Sequence, residues 1–200
     1  MLLDKAPGSW NSYHEPFVGG GALFFALAAR CGGLSGRAVL SDMNSRLIRT
    51  YQTVRDQVEP LIGRLQEHAE LHSKDHYYNT RARPIDDDED LEVAAWMIYL
   101  NKTGFNGLYR VNKKGKFNVP IGRYKNPKIC DADNLRACSA VLQGVEIHHQ
   151  GFDAVLERAG SGDFVYFDPP YVPVSATASF TAYTSDGFNL ADQELSLIHI

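Results

Sequence analysis

The sequence predicts an α/β fold, a sheet core whose strands end in ligand-facing loops, interrupted by a mainly helical insert. Three observations predict it. Residues 13–29 and 37–54 each read as strand, turn and helix. That alternation stops over residues 55–138 and resumes after them. A third apolar run, Phe164-Val165-Tyr166-Phe167, reads as a buried strand leading into Asp168-Pro169-Pro170-Tyr171. The carboxyl end of a strand is where open α/β sheets bind ligands. The chain therefore divides into a first core part at 1–54, an insert at 55–138 and a second core part at 139–200.

In order along the chain, residues 13–18 form a short strand, Gly19-Gly20-Gly21 a turn and residues 22–29 a helix. Glycines at such a turn let a ligand approach the backbone closely. A second strand ends at Asp42, and Asn44 is placed to cap a helix carrying Leu47, Ile48, Tyr51 and Val54. An acid about 20 residues beyond a glycine turn commonly holds ribose hydroxyls; the bland alternative is a helix-cap acid. Residues 59–76 and 91–100 read as helices, with Asp86, Asp87, Asp88, Glu89 and Asp90 crowding the start of the second, where the helix dipole favours negative charge. His68, His72 and His76 fall on one helical face and read as a polar surface rather than as metal ligands. Residues 131–142 read as helix, 145–149 as strand and 153–158 as helix. His148 and His149 are adjacent in the strand, point to opposite faces and form no site.

The prolines of the Asp168 motif stop the strand and stiffen the loop. A carboxylate, bare carbonyls and an aromatic ring together suit a planar ring bearing an amine, although by itself the motif also fits a turn with a packed tyrosine. Charge narrows the choice. The net charge of −4 conceals a basic segment over residues 101–130, with Lys102, Arg110, Lys113, Lys114, Lys116, Arg123, Lys125 and Lys128 and no acid. A nucleic-acid backbone is the natural partner of such a strip. Phe105, Tyr109, Phe117 and Tyr124 interleave with the cations, and Asn106, Asn112 and Asn118 can read base edges, which favours recognition over a solvated basic loop. A core for a nucleoside-like cofactor and an insert for nucleic acid suggest chemistry on a base.

Composition sets the outer bounds. At 200 residues, 44% hydrophobic and 22% charged, the chain suits one folded unit with an insertion. No apolar run reaches the roughly 18 residues of a membrane span and no signal-peptide pattern opens the chain, so a soluble, cytoplasmic protein without a membrane partner is expected. Cys31, Cys130 and Cys138 are odd in number and lack CxxC spacing, which suggests reduced thiols and neither a disulfide framework nor a metal site.

Several segments closely resemble the Dam-type DNA adenine-N6 methyltransferases: Glu15-Pro16-Phe17-Val18-Gly19-Gly20-Gly21, Leu40-Ser41-Asp42-Met43-Asn44, residues 101–110 (NKTGFNGLYR), residues 117–124 (FNVPIGRY), and Asp168 to Tyr171 with residues 175–180. Their order matches the alpha arrangement of that family, and the resemblance covers about residues 13–194. It implies a Rossmann-like S-adenosylmethionine-dependent core with a DNA-recognition insert, and transfer of a methyl group to adenine in duplex DNA, most typically within GATC, without a metal. It implies catalytic roles for Asp168, Pro169, Pro170 and Tyr171. Glu15, Pro16, Phe17, Gly19 and Gly21 would line the methionine and ribose side of the cofactor, Asp42 would hold the ribose, Phe152 or Asp153 would border its adenine, and Asp168 would face both substrates. Phe105, Asn106, Leu108 and Arg110 match the DNA-contacting loop, with Arg110 as the guanine reader. Pro120, Arg123, Tyr124 and Lys125 match a second DNA-facing segment, and Lys113, Lys114 and Lys116 would meet phosphates.

The family's upstream Trp-Ala-Gly-Gly-Lys pattern has no counterpart in the 14 residues before Glu15, and the family continues beyond the position of Ile200. Residues 195–200 (LSLIHI) look foreign. The expectation is a chain truncated at both ends, from a parent expected to be a monomer, in either a solitary or a restriction-modification setting. Two other readings stand beside adenine methylation in DNA: another amine as target, such as cytosine N4 or an RNA adenine, and a non-catalytic DNA-binding remnant.

Overall fold

The computed structural model of the chain describes residues 2–34 and 36–169. Pro170 and Tyr171 lie outside the described residues, as do the segments at 175–180 and 195–200. Tyr13–Glu15 (β1), Ala38–Asp42 (β2), Glu146–His149 (β3) and Phe164–Val165 (β4) form one parallel sheet in the order β3-β2-β1-β4. The chain steps outward from β1 through β2 to β3, then crosses back to pair β4 with the other side of β1. Strand order therefore reverses between β1 and β4, and the crevice outside their carboxyl ends is the topological switch point of the sheet.

Two strands are shorter than their sequence pattern. β1 ends at Glu15, before Pro16, and β4 comprises Phe164 and Val165. The amide of Tyr166 still donates to the His14 carbonyl at 2.8 Å, so the edge of the ladder reaches one residue further. The expected burial of residues 164–167 is not met: all four are half-buried, because among the described residues β4 pairs on one side only. β1 is central, and all three of its residues are buried.

The described residues hold seven α-helices: α1 (Ala22–Cys31), α2 (Ser45–Asp56), α3 (Val58–Glu70), α4 (Lys74–Ala82), α5 (Asp90–Thr103), α6 (Ala132–Leu142) and α7 (Val155–Arg158). Asn44 caps α2, its side chain accepting from the Leu47 amide. The single helix expected over 59–76 is two. α3 stops at Glu70, and Ser73 starts α4 by accepting from the His76 amide at 3.1 Å. The expected helix at 153–158 likewise opens with a tight turn over Phe152–Ala154 before α7. Val93 through Met97, with Tyr99 and Leu100, are buried in α5, so this helix is enclosed on all sides rather than amphipathic. It packs along α2, α3 and α4, and its Trp96 donates to the Thr80 carbonyl at 2.9 Å.

The reading of the three histidines as a surface face is corrected by this packing. The break between α3 and α4 folds them together around Tyr99: His68 Nδ1 lies 2.9 Å from His76 Nε2, and His72 Nδ1 lies 3.0 Å from the Tyr99 hydroxyl. His68 is buried and stacks on Tyr99 with centroids 4.6 Å apart; burial pushes its imidazole down to about 4. Among the described residues no group of three or more His, Cys, Asp or Glu is disposed to hold a metal ion, and no helix is long and apolar enough to cross a membrane.

Candidate active site and nucleic-acid interface

The glycine turn after β1 is pinned at Val18, Gly19 and Gly21. The Gly21 amide donates to the Val18 carbonyl at 2.7 Å, the Val18 amide to the Ser41 carbonyl at 3.0 Å, and the Tyr51 hydroxyl to the Gly19 carbonyl at 3.1 Å. Two glycines do different work here. Gly19 has φ 46°, and its amide donates to Asp42 Oδ2 at 3.1 Å, while the space where a side chain would sit is open to an approaching ligand. Gly21 has φ 65°, and a Cβ there would lie 2.5 Å from the Tyr51 hydroxyl, so this position is closed by packing. Gly21 shapes the turn rather than lining it.

Asp42, at the end of β2, is oriented by two amides, Gly19 on Oδ2 and Asn44 on Oδ1 at 2.8 Å. Burial raises its pKa, with those amides opposing the rise. An ionised carboxylate has about four acceptor sites, so two remain for a pair of ribose hydroxyls. Beyond β1, the Phe17 ring stacks on Phe152 with centroids 5.4 Å apart and an interplanar angle of 24°, and meets Phe167 at 6.2 Å. Phe152 follows β3, and next to it Asp153 is exposed. The open turn, the oriented carboxylate and the aromatic pair are the parts a nucleoside-bearing cofactor requires, and they fit S-adenosylmethionine. Asp168 is exposed beyond β4, followed by the half-buried Pro169, while Pro16 is buried beside Glu15.

Glu15 departs from a simple lining role. Its carboxylate is 3% exposed and accepts from the Tyr13 hydroxyl at 2.7 Å. Burial raises its pKa to about 7, the Tyr13 hydroxyl and the Phe24 amide pull it down, and the charge of Asp168 pushes it up. Between pH 4.5 and about 7 the folded chain holds a proton that the unfolded chain has lost, so stability falls as pH rises through that window. Above it the cost is about 3 kcal/mol. Glu15→Gln keeps an acceptor for Tyr13 and has no charge to bury. Denaturant unfolding is expected to show the variant gaining about 2 to 3 kcal/mol on the wild type between pH 5 and pH 8. A difference that does not change with pH would place that proton on another group.

The basic segment forms one surface from parts the sequence keeps separate. The Phe105 amide donates to the Pro120 carbonyl at 2.9 Å and the Gly122 amide to the Thr103 carbonyl at 2.8 Å, joining the 101–108 loop to the 119–122 segment. Between them residues 110–118 fold back as a hairpin, with Val111 paired to Phe117. Asn106 has φ 54°, alone among described non-glycine residues in the left-handed region, and sits at the loop tip beside the exposed Phe105 and Leu108. Tyr124 is exposed too, and a cleft of about 530 Å³ lies between Asn101, Lys102 and Asn106 on one side and Tyr124, Lys125 and Lys128 on the other. Lys113, Lys114, Lys116, Pro120 and Arg123 are all exposed.

Two expectations about this surface change. Of the four interleaved aromatics, Phe117 is buried against Trp96 at 5.5 Å and Tyr109 is half-buried against Phe117 at 5.6 Å, leaving Phe105 and Tyr124 exposed for stacking. Asn112 and Asn118 have their amide oxygens committed within the protein. Asn112 Oδ1 accepts from the Lys114 and Lys116 amides at 2.9 and 3.1 Å, closing the hairpin turn, and Asn118 Oδ1 accepts from Arg110 Nε at 2.7 Å. The Asn118 oxygen thus braces Arg110, eight residues back across the turn.

Residues 2–198 match the family model described as D12 class N6 adenine-specific DNA methyltransferase. The chain is 45% identical over 193 residues to the type II methyltransferase M1.LlaDCHI of Lactococcus lactis subsp. cremoris, covering 94% of this chain and 66% of that protein. It is 43% identical over 196 residues to the type II methyltransferase M.MjaIII of Methanocaldococcus jannaschii, covering 93% and 67%. It is 35% identical over 181 residues to the DNA adenine methylase of Escherichia coli K12, covering 90% and 63%. The chain spans about two thirds of the length of these curated relatives.

Proposed function

The chain belongs to the D12 class of N6 adenine-specific DNA methyltransferases, and from that premise we propose that it methylates the exocyclic amine of adenine in duplex DNA, within GATC, with S-adenosylmethionine as donor. The observation that carries this reading is the convergence at the switch point of the sheet. Gly19 follows β1, Asp42 ends β2, Phe152 follows β3 and Asp168 follows β4. Residues 1–54 and 139–200 act as the catalytic core and residues 55–138 as the recognition insert.

S-adenosylmethionine supplies a methyl group on a sulfonium, already activated for transfer. Adenine N6 is a poor nucleophile because its lone pair is shared with the ring, so the task of the protein is placement. The Asp168 carboxylate accepts one hydrogen bond from the amine and the Pro169 or Pro170 carbonyl a second. Together they favour a nitrogen whose lone pair leaves the ring plane. Tyr171 stacks on the extruded base and offsets part of an unstacking cost of a few kcal/mol. Phe152 would border the cofactor's adenine, Phe17, stacked on Phe152, would line the methionine and ribose side, and Asp42 would take the ribose hydroxyls. On the basic surface Phe105, Asn106 and Leu108 enter the duplex, Arg110 reads guanine, and the lysines of the hairpin turn meet phosphates.

The test is transfer of labelled methyl groups to GATC duplexes, with calorimetry of S-adenosylmethionine binding alongside. Wild type is expected to label the duplex and not a version lacking the site adenine. Asp42→Ala is expected to weaken cofactor binding about tenfold or more, two charge-assisted bonds being lost, without changing DNA affinity. DNA binding by a wild type that takes up no cofactor would identify a non-catalytic binding protein, and label on cytosine would identify another amine as target.

A further inference from the structure

Four residues beyond Asp42, in the first turn of α2, Arg46 reaches out of the core to the basic hairpin. Its Nε and Nη2 donate to both oxygens of Asp86 at 2.6 and 2.7 Å, Nη2 also donates to the Gly115 carbonyl at 3.0 Å, and Nη1 donates to the Tyr109 hydroxyl at 3.3 Å. The guanidinium lies 5.3 Å from the centre of the Trp96 ring, and its side chain is 12% exposed. Tyr109 immediately precedes Arg110, and Gly115 sits in the turn between Lys114 and Lys116. One side chain therefore holds the arm carrying the guanine reader and the turn carrying the phosphate contacts. Its own helix is fixed at the cofactor end by the Asn44 cap and, through it, by Asp42.

We propose that Arg46 is a positioning residue for base recognition: it indexes the hairpin of residues 110–118, together with Tyr109 at its base, to the catalytic core and so sets the aim of Arg110. This rests on the reading of the basic segment as the DNA-recognition surface. Arg46 is not placed to touch DNA itself. The requirement is for arginine, because five donors in a rigid plane reach three partners while the flat face lies over Trp96, and a lysine ammonium cannot do both. Asp86 is 63% exposed, so this ion pair contributes little by itself. It holds the fork in the plane that Tyr109 and Gly115 need. Arg49, one turn on, is a natural control. It binds Asp90 and the Asp86 and Asp88 carbonyls and, among the described residues, makes no hydrogen bond to the hairpin.

Two readouts separate this role from general stability. In the DNA-free chain, Arg46→Ala and Arg46→Lys are expected to speed amide exchange at Asn112, Gly115, Lys116 and Asn118 about tenfold, one charged hydrogen bond or more being lost, while α5 amides and cofactor affinity hold. In binding to GATC duplexes and single-base substitutions of them, both variants are expected to lower the preference for the intact site about tenfold, and Arg49→Ala to leave it unchanged. Tyr109→Phe removes one partner without changing shape; it is expected to give a smaller loss that does not add to that of Arg46→Ala. It also decides the matter should Arg46→Ala not fold. Unaltered hairpin exchange, or an unaltered preference in a chain whose wild type discriminates, overturns the proposal. A wild type that binds all duplexes alike overturns the recognition reading instead, and the exchange data distinguish the two failures.

Discussion

Asp168→Ala is expected to reduce methyl transfer to GATC duplexes by about a hundredfold to a thousandfold, while DNA affinity changes little. The scale is that of removing a preorganised hydrogen-bonding group aimed at the reacting atom. Asp168 is exposed just beyond β4 and so can be truncated without leaving a cavity. Its charge also bears on Glu15, where it contributes to the raised pKa of the buried carboxylate. Asp168→Ala is therefore expected to lower the Glu15 pKa and to make the chain slightly more stable near pH 7, the opposite of a folding defect. Single-turnover kinetics with saturating duplex, read beside a thermal melt, checks both. Wild-type turnover in the variant would remove Asp168 from the mechanism.

Arg110→Ala is expected to flatten base preference. A bidentate contact to guanine discriminates by about 1–3 kcal/mol, so loss at one position of the site should approach tenfold to a hundredfold while other positions keep their rank. Arg110 is exposed; Asn118 holds its Nε at 2.7 Å and its Nη2 at 3.4 Å, which leaves Nη1 and the second hydrogen of Nη2 to face a base edge. Lys114→Ala is the contrasting case. It should weaken binding to every duplex alike and reduce the salt slope by about one unit. Equilibrium binding to a panel of substituted duplexes at several salt concentrations separates the two. A uniform loss for Arg110→Ala would move it into the class of phosphate contacts.

Much of the candidate site was legible because its signals are local. Asp42 ends a strand and Gly19 and Asp168 each follow one within a few residues, and the rule that ligands gather at carboxyl ends needs only those neighbours. The Asn44 cap was readable for the same reason, since a cap and its amide partner lie three residues apart. The histidines misled because helical periodicity was extended across Leu71–Ser73 as though α3 did not end; the Ser73 cap, not the spacing, governs where those side chains go. Phe117 and Tyr109 looked like stacking groups until Trp96 provided an apolar surface to cover. Glu15 carried no sign of its elevated pKa, which arises from burial in a central strand.

By itself the sequence determined the family, through motifs whose order and spacing are read directly along the chain, together with the α/β alternation and the separation of a basic strip from an acidic remainder. Only the tertiary structure decided the strand order β3-β2-β1-β4, and with it the crevice shared by the glycine turn and Asp168. Only there do Arg46 and Gly115, 69 residues apart, become partners. The physical reason is range. Caps, turns and strand ends are set by groups a few residues away, whereas the pairing of distant strands and the reach of one arginine to a hairpin depend on how several helices pack at once.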